Sequence, residues 1–355
     1  MNDRSKMEDL YSKYKGFQTP AAKILLGDGK LDLMNRLNAR VDELTVTLPM
    51  ENSGSASFSI VNAYDGKNRK LDSTIMDQLV LGNIVRVQLG YESNLESLFT
   101  GFIYSVKIEY EDSVRLSINA MDLRRLMEDT TREKQAWKAG CVSDVVKQVL
   151  KDYSKLYSRI VVDKTPDIET LTVTQNETDL AFINRLAMEE HRSFFVFDDV
   201  IYFRRKGQKA PALTMSWGRD LITFSKESIY VDQKITVVGL KEEGKEPLTA
   251  TVEVKTEDNM NCLVPGGNGV LISSPKSDTQ DKVTKKAEKK AEVMRTKKQT
   301  GSGTCVGIPE LVPGRFITLS GLESKLNGNY QVKSVTHSFG GDGFRTSFEI
   351  GGYGG

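Results

Sequence analysis

Short segments in which apolar and polar residues alternate, near both ends of the chain, constrain the fold most strongly. Residues 85–89 (VRVQL) and 114–118 (VRLSI) are clear examples. A period of two predicts β-strands with one face in a core and the other toward solvent or a partner. Gly, Asn and Asp turns separate such segments, and many short strands at this spacing predict a barrel or a sandwich. In the first third of the chain, strands are predicted at 20–27, 42–49, 55–62, 83–91, 98–110 and 113–119.

A helical period replaces this alternation near residue 122. Apolar residues within 142–153 recur at i, i+3, i+4, i+7, i+8 and i+11, which predicts one buried face of a helix. A second helix is predicted at about 178–190. Two β-rich runs, 193–197 and 200–204, follow it and are separated by only two residues, which is typical of a hairpin. These elements predict a smaller α+β module.

Strands are predicted again after residue 211, interrupted by one basic segment. Within 276–298 there are nine Lys or Arg and four Asp or Glu. Val283, Ala287, Ala291 and Met294 form a narrow apolar stripe, which predicts an amphipathic helix at about 280–298. The glycines in 301–303 are interpreted as its stop. The strands of this region are predicted at 213–216, 221–224, 228–240, 248–255, 304–308, 315–320, 329–338 and 344–350.

The composition argues against several classes of function. The formal net charge is +1, so no strong field draws the chain to nucleic acid or to a membrane surface. No apolar run approaches the roughly 18–20 residues of a membrane span, and the first fifteen residues show no signal peptide. The scarce residues are Cys and His, whose low number disfavours a zinc site or a His-based catalytic group. They are Cys141, Cys262, Cys305, His191 and His337. We therefore expect no catalytic residue, metal or cofactor.

The two β regions show a weak internal repeat. The segments 81–90 and 313–321 share a pattern that starts at their second residue, Gly82 and Gly314. Each glycine is followed by any residue, two apolar residues, and then a polar, an apolar and a polar residue. The segment 101–106 then matches 328–335, and each half closes with another alternating strand. Generic hairpins could produce the same pattern, so the repeat remains a hypothesis. If it is a true duplication, the chain is a barrel, an insertion and a second barrel.

The same segments carry a family resemblance. The stretches 82–91 with 98–122, 177–205, and 311–322 with 326–350 resemble the phage late control protein D family, the baseplate hub of contractile tails. They are also similar to the N-terminal hub part of the VgrG spike proteins of type VI secretion. One departure is His191-Arg192, where the family often has a small residue such as glycine. The residues that we interpret as fold motifs are Gly82, Gly90, Gly101, Gly314, Gly328, Tyr330 and His337, the last as a structural hydrogen-bonding residue.

The resemblance implies a mainly β fold in which two tail-tube-like β-barrels flank the α+β module. The first barrel would span 1–121, the module 122–210, and the second barrel, with the basic helix, 211–355. It implies a non-enzymatic homotrimer whose six barrels meet a six-fold tail tube on one side and a three-fold spike on the other. Since the chain closes at GGYGG without a β-helical spike, the spike is expected to be a separate trimeric protein.

The resemblance also implies the other partners and the location. Besides the spike, these are the tail tube, wedge and tape-measure proteins, with no membrane insertion and no specific nucleic acid. The protein would lie in the bacterial cytoplasm during assembly and then in the baseplate of a phage tail or a phage-tail-like particle, such as a bacteriocin or another injection system.

Two other functions remain open at this point. One is a cell-wall hydrolase at the tail tip, although no pair among the 48 acids stands out. The other is a nucleic-acid-binding module on the basic helix, where no aromatic residue interleaves with the lysines to stack on bases. We expect the helix rather to contact an acidic baseplate neighbour through Lys285, Lys286, Lys289 and Lys290. The glycine clusters 266–269 and 301–303 lack phosphate-loop spacing and are interpreted as turns.

Overall fold

The fold is taken from a computed structural model of the 355-residue chain. The structure describes residues 7–27, 31–168, 171–205, 211–240, 246–255, 261, 263–264, 268–274 and 277–353. Its α-helices are α1 (Met7–Lys13), α2 (Ser73–Met76), α3 (Leu123–Asp129), α4 (Val142–Leu150), α5 (Asp179–Glu189) and α6 (Gln280–Lys298). Short 3-10 helices lie at Lys15–Phe17 and Lys151–Leu156.

The strands of the first half and the middle of the chain are β1 (Pro20–Leu26), β2 (Leu31–Asp32), β3 (Val41–Pro49), β4 (Ser55–Ile60), β5 (Tyr64–Asp65), β6 (Lys70–Leu71), β7 (Ile84–Tyr91), β8 (Asn94–Tyr110), β9 (Val114–Met121), β10 (Thr131–Ala139), β11 (Arg159–Val162), β12 (Leu171–Thr178), β13 (Arg192–Phe197) and β14 (Val200–Arg205). Those of the last part are β15 (Pro211–Ser216), β16 (Leu221–Ser228), β17 (Asp232–Val238), β18 (Thr249–Lys255), β19 (Asn268–Ser273), β20 (Gln299–Val306), β21 (Phe316–Ser320), β22 (Gly328–Gly340) and β23 (Gly343–Tyr353). The prediction of a mainly β protein is confirmed.

Thirteen strands form one large sheet. Its hydrogen-bonded order is β16-β20-β23-β22-β3-β4-β9-β8-β7-β1-β2, and β21 joins through β22 and carries β15 on its other side. The alternating side chains of these strands bury one face, and their apolar residues form one core that draws on both ends of the chain. Val46, Val87, Leu319 and Val335 are fully buried members of this core.

Two sets of six strands within this sheet share one order. The first set runs β3-β4-β9-β8-β7-β1, and the second runs β16-β20-β23-β22-β21-β15. Corresponding strands also follow each other in the same sequence along the chain. Four of the five neighbouring pairs are antiparallel in both sets; the exception is the last pair, where β1 is antiparallel to β7 but β15 is parallel to β21. The internal repeat predicted from the sequence therefore has a counterpart in the strand order.

The hydrogen bonds that open β7 and β21 fix the correspondence residue by residue. The Gly82 N–H donates to the Ile103 carbonyl at 2.8 Å, and the Gly314 N–H donates to the Val332 carbonyl at 2.9 Å. Both glycines have a positive φ, 85° and 82°, which side chains rarely tolerate. Ile103 thus corresponds to Val332, so Gly101 corresponds to Tyr330. The match of 101 with 328 inferred from the sequence is wrong at its start by two residues.

The two sets are joined directly by strand pairing. Residues 334–339 of β22 pair antiparallel with residues 44–49 of β3. A further joint lies at the end of α1, where Lys13 bridges Glu310 and Glu96. The hydroxyl of Tyr14, directly after the helix, donates to Glu310 at 2.8 Å. The first and second β regions are therefore packed against each other.

The middle module has its own core between α3, α4 and α5 and two small sheets, β10-β12 and β11-β14-β13. The two predicted helices and the hairpin β13–β14 are present. His191 has a φ of +53° at the end of α5, so the turn keeps the left-handed conformation that suits a glycine, although the residue differs. The boundary expected between residues 210 and 211 directly follows residues 206–210, which lie outside the described residues.

The basic helix belongs to a third packed unit. Helix α6 covers the three-stranded sheet β18-β17-β19, and Val283, Ala287 and Ala291 of its predicted stripe are completely buried there. This unit lies between β16 and β20 in the chain. No helix in the described part of the chain is long and apolar enough to cross a membrane.

The prediction that the glycines of 301–303 form a turn is wrong. They lie inside β20, between β16 and β23. A Cβ on Gly303 would lie 2.5 Å from the ring of Phe348 and 2.9 Å from the Thr223 carbonyl, so the close approach of neighbours explains the glycine. In the other glycine cluster, 266 and 267 lie outside the described residues and 268–269 begin β19.

Candidate assembly site

The glycines interpreted as fold motifs act through the backbone. A Cβ on Gly90 would lie 2.1 Å from the Asn94 carbonyl oxygen, where β7 turns into β8. A Cβ on Gly101 would lie 2.2 Å from the Met121 carbonyl oxygen. Gly328 opens β22 with a φ of 150°. These positions shape the strands and carry no reactive group.

His337 and Tyr330 are buried structural residues of β22. The Nδ1 atom of His337 lies 3.0 Å from the Thr346 hydroxyl, and its Nε2 has no hydrogen-bond partner within the described part of the chain. Burial lowers the pKa of His337 to about 3, so the ring is neutral at physiological pH. The Tyr330 hydroxyl donates to the Leu326 carbonyl at 2.7 Å. The structural hydrogen-bonding role of His337 stays a prediction.

Three of the four lysines named for a partner contact have partners within the fold. Lys285 pairs with Asp281 at 2.6 Å, Lys286 donates to the Ser274 hydroxyl at 2.6 Å, and Lys289 donates to the carbonyl of Met188. Lys290 is exposed. The contact with an acidic neighbour stays a prediction, and Lys285 and Lys290 are the more exposed of the four.

A buried ion pair joins the first strand set to the middle module. Asp122 caps α3, and its carboxylate accepts hydrogen bonds from Nε and Nη2 of Arg124 at 3.0 and 2.7 Å. It also accepts from the Gly54 N–H at 2.8 Å. Arg124 donates from Nη1 to the carbonyls of Pro49 and Met50. The pair therefore holds the turn between β3 and β4 against the start of α3.

A second buried carboxylate, Asp179, organises the middle module. It accepts hydrogen bonds from Arg132 at 2.8 and 2.9 Å, from Gln175 at 2.7 Å and from the Tyr153 hydroxyl at 2.7 Å. Burial acts to raise the pKa of Asp179, but these hydrogen bonds outweigh it and the pKa lies below the usual value. Asp179 therefore remains charged and serves as a structural anchor for β10, β12 and α5.

The turn of the β13–β14 hairpin docks on the first strand set. Asp198 forms a bridge with Phe99 and accepts a hydrogen bond from the Thr100 hydroxyl at 2.7 Å. Asp199 lies 3.4 Å from Arg86 of β7. Burial raises the pKa of Asp198, although the Thr100 hydrogen bond opposes the shift. The two acids thus form the hairpin turn, and through it the middle module contacts the first strand set.

We expect Asp198→Asn to raise the free energy of unfolding at pH 7, by less than about 1 kcal/mol. Asparagine tolerates the φ of +53° found here and avoids the half-buried charge. Because the pKa of Asp198 is raised on folding, native Asp198 disfavours the folded state increasingly as the pH rises through that raised value. The gain should shrink as the pH falls toward 3.8, the ordinary value. Urea unfolding at several pH values measures it; a loss of stability at pH 7 would contradict this account.

The far half of β8 forms an apolar strand edge. Residues 105–110 pair with β9 on one side, and within the described residues no strand pairs with them on the other. Ile108 and Tyr110 on this edge are 41% and 63% exposed. Lys107 forms an ion pair with Glu109 at 2.6 Å on the opposite face. An open edge with exposed apolar side chains is a site for adding another strand.

A second edge lies at the other end of the large sheet. Strand β16 is the terminal strand and has β20 as its one partner strand in the described chain, apart from a single bridge between Trp217 and Leu221. Ser225 and Glu227 are exposed on it, and Tyr230, directly after it, is 44% exposed. The sequence pattern identifies both strands but does not show which of their edges remains open.

Known structures share this fold. The 43 kDa tail protein of prophage MuSo2 from Shewanella oneidensis aligns with a TM-score of 0.72 over 93% of this chain and 97% of its own, at 13% identity. A tail protein from Neisseria meningitidis gives 0.70 over 94% and 97%, at 14% identity. The E. coli c3393 protein, a component of the type VI secretion system, gives 0.55 over 92% and 76%, at 13% identity.

The resemblance in fold to phage tail proteins and to a component of type VI secretion, inferred from the sequence, is confirmed by these structures. No curated protein sequence matches this chain significantly. The family model of the Alg8 N-terminal domain matches residues 35–340. That match covers most of the chain, and the protein therefore belongs to the Alg8 N-terminal domain family.

Proposed function

We propose that this protein is a structural baseplate hub of a contractile phage tail or a phage-tail-like particle. In this proposal it is a non-enzymatic homotrimer that adapts a six-fold tail tube to a three-fold spike. The fold shared with a prophage tail protein of Shewanella oneidensis and with a tail protein of Neisseria meningitidis supports a structural tail component. The spike, tail tube, wedge and tape-measure proteins are the proposed partners, and the baseplate is the proposed location.

The observation that carries the proposal is the presence of two strand sets with one order in a single chain. We take each set as one tail-tube-like β-barrel, with the domain limits 1–121, 122–210 and 211–355. Three copies then supply six related units, which can face six tube subunits. The differences between the sets leave only three-fold symmetry elsewhere, which suits a trimeric spike.

No specific observation favours the hydrolase or the nucleic-acid-binding module. The fully buried acids Asp122 and Asp179 are hydrogen-bonded to the fold that they stabilise. Three lysines of the basic helix have partners within the chain. These acids and these three lysines thus have contacts within the fold.

Native mass spectrometry of the purified protein tests the proposal. We expect a trimer, at three times the 39.6 kDa of one chain, alone or after mixing with the spike protein of the same particle. Electron microscopy of that species should show a ring with six similar lobes. A particle that stays monomeric at micromolar concentration, with and without the spike protein, would overturn the proposed hub.

A further inference from the structure

We propose that residues 105–110 of β8 pair with β16 of a second copy of this chain, antiparallel and in the register that β22 and β3 adopt within one chain. The inference rests on the proposed ring, since it assigns the junction between its subunits. Its basis is the correspondence between the two strand sets. Within one chain, β22 of the second set pairs with β3 of the first set, whereas the corresponding edges of β8 and β16 have no partner strand among the described residues.

The intrachain junction is the template. Strand β22 pairs with β3 along six residues, with Thr336 opposite Thr47. The two threonine hydroxyls lie 3.4 Å apart. On the other face of the same junction, His337 lies opposite Val46, and both are fully buried. In this way an otherwise open edge of the second strand set is covered by the first set.

The counterpart of β22 is β8, and a shared irregularity fixes the register. The pairing of β8 with β9 skips Tyr104, the residue after Ile103, and the pairing of β22 with β23 skips Lys333, the residue after Val332. Since Ile103 corresponds to Val332, Thr336 corresponds to Lys107.

The counterpart of β3 is β16, and its register follows through the strands between them. Since Ile103 corresponds to Val332, Val106 corresponds to Val335; from there the pairing runs through Ile118 and Phe58 to Leu44 in the first set. In the second set it runs through Phe348 and Gly303 to Phe224, so Leu44 corresponds to Phe224. Thr47 therefore corresponds to Glu227, and the proposed junction places Lys107 of one copy directly opposite Glu227 of the next.

The chemistry of the two edges fits this register. Lys107 and Glu227 carry opposite charges and are both exposed, and such a cross-strand pair is favourable. Tyr110 would lie opposite Phe224, which pairs two aromatic residues. Ile108 is 41% exposed, whereas its counterpart His337 is 0% exposed under β3. A second copy would cover Ile108 as β3 covers His337.

Residues next to the strands show the same contrast. Val80 is 57% exposed, although its counterpart Val312 is 5% exposed. Met50 follows β3, and its N–H donates to the Lys333 carbonyl at 3.0 Å. Its counterpart is Tyr230, which is 44% exposed. Val80 and Tyr230 are therefore exposed apolar positions next to the two edges where the second copy is proposed to bind.

Disulfide cross-linking of the full-length protein tests the register. Lys107→Cys and Glu227→Cys are combined, with Cys262→Ser in every variant, and the protein is treated with a mild oxidant. We expect disulfides between copies, with a covalent trimer as the largest species on a non-reducing gel. The product should exceed that of the register-shifted pair Ser105→Cys with Glu227→Cys by about ten-fold, because disulfides require Cβ atoms within a few ångströms.

The matched control is the corresponding residue pair in the intrachain junction of β22 with β3, where Thr336 lies opposite Thr47. Thr47→Cys with Thr336→Cys should form a disulfide within one chain and leave the covalent mass of a monomer. A native trimer in which the Lys107–Glu227 cysteine pair cross-links no better than the shifted pair would overturn the proposed pairing and leave the hub intact. Covalent chains longer than three copies would overturn the closed junction. A protein that is monomeric in native mass spectrometry and is not cross-linked would overturn both proposals.

Discussion

Replacing Arg124 by methionine is expected to lower the free energy of unfolding by about 3–5 kcal/mol. The guanidinium is 1% exposed and makes two hydrogen bonds to Asp122 and two to backbone carbonyls of 49 and 50. Methionine fills part of the volume but leaves a buried carboxylate without its cation. The loss should be visible as a lower midpoint of urea unfolding.

The neighbouring residue provides the matched control. Arg125 lies on the same helix and pairs with Glu128 and Asp129, but these ion pairs are partly exposed. Arg125→Met should therefore cost less than about 1 kcal/mol. Equal losses for the two variants would show that the buried pair at Asp122 is not the joint that the geometry indicates.

Gly101→Ala is expected to lower the free energy of unfolding by about 2–4 kcal/mol. The added Cβ would lie 2.2 Å from the Met121 carbonyl oxygen and 2.6 Å from the ring of Phe99. The ring can turn aside, but the carbonyl belongs to the backbone of β9 and can move only if the β8–β9 pairing shifts. Because the same pairing continues to the open edge of β8, the variant should also weaken assembly.

Gly140→Ala is the control for this substitution. A Cβ at Gly140 would have no heavy atom within 4 Å, and its φ is not positive. The change should therefore be close to neutral in thermal unfolding, within about 0.5 kcal/mol. If Gly101→Ala were equally neutral, the interpretation of Gly101 as a site of close strand approach would be wrong.

The large sheet was predictable because its strands alternate clearly. In 85–89 and 114–118, each apolar residue belongs to one face, and the structure buries that face. Helix α6 was predictable for the same reason, since Val283, Ala287 and Ala291 recur at helical spacing and are buried. Where one face of an element provides the core, the pattern in the sequence carries most of the information.

Other elements have no such pattern. Strand β10 (TREKQAWKA) is mostly polar and is held by pairing with β12 and by Trp137, whose indole donates to Gln175 at 2.8 Å. Helix α1 is short, and its place depends on distant partners such as Glu310. Glycines 301 and 303 suggested a turn because their neighbours in space, which exclude a side chain, are not visible in one sequence.

The candidate site was likewise predictable only in part: the sequence pattern indicated its strands but not its contacts. The sequence identified β8 and β16 as strands and Gly82 and Gly314 as matching positions, but it named the lysines of α6 as the contact. An open edge depends on which strands pair across the whole sheet, and that is a property of the topology. The residues that carry the proposed junction, Lys107 and Glu227, look like ordinary surface charges in the sequence.

The unit formed by β17, β18, β19 and α6 interrupts only one of the two strand sets. Strands β3 and β4 are joined by residues 50–54, whereas the corresponding strands β16 and β20 are separated by residues 229–298. In the proposed trimer, this inserted unit therefore occurs on every second of the six strand sets around the ring. Averaging of electron microscopy images with six-fold symmetry would blur the inserted unit, whereas averaging with three-fold symmetry would keep it. A protein that binds this unit could bind in no more than three copies.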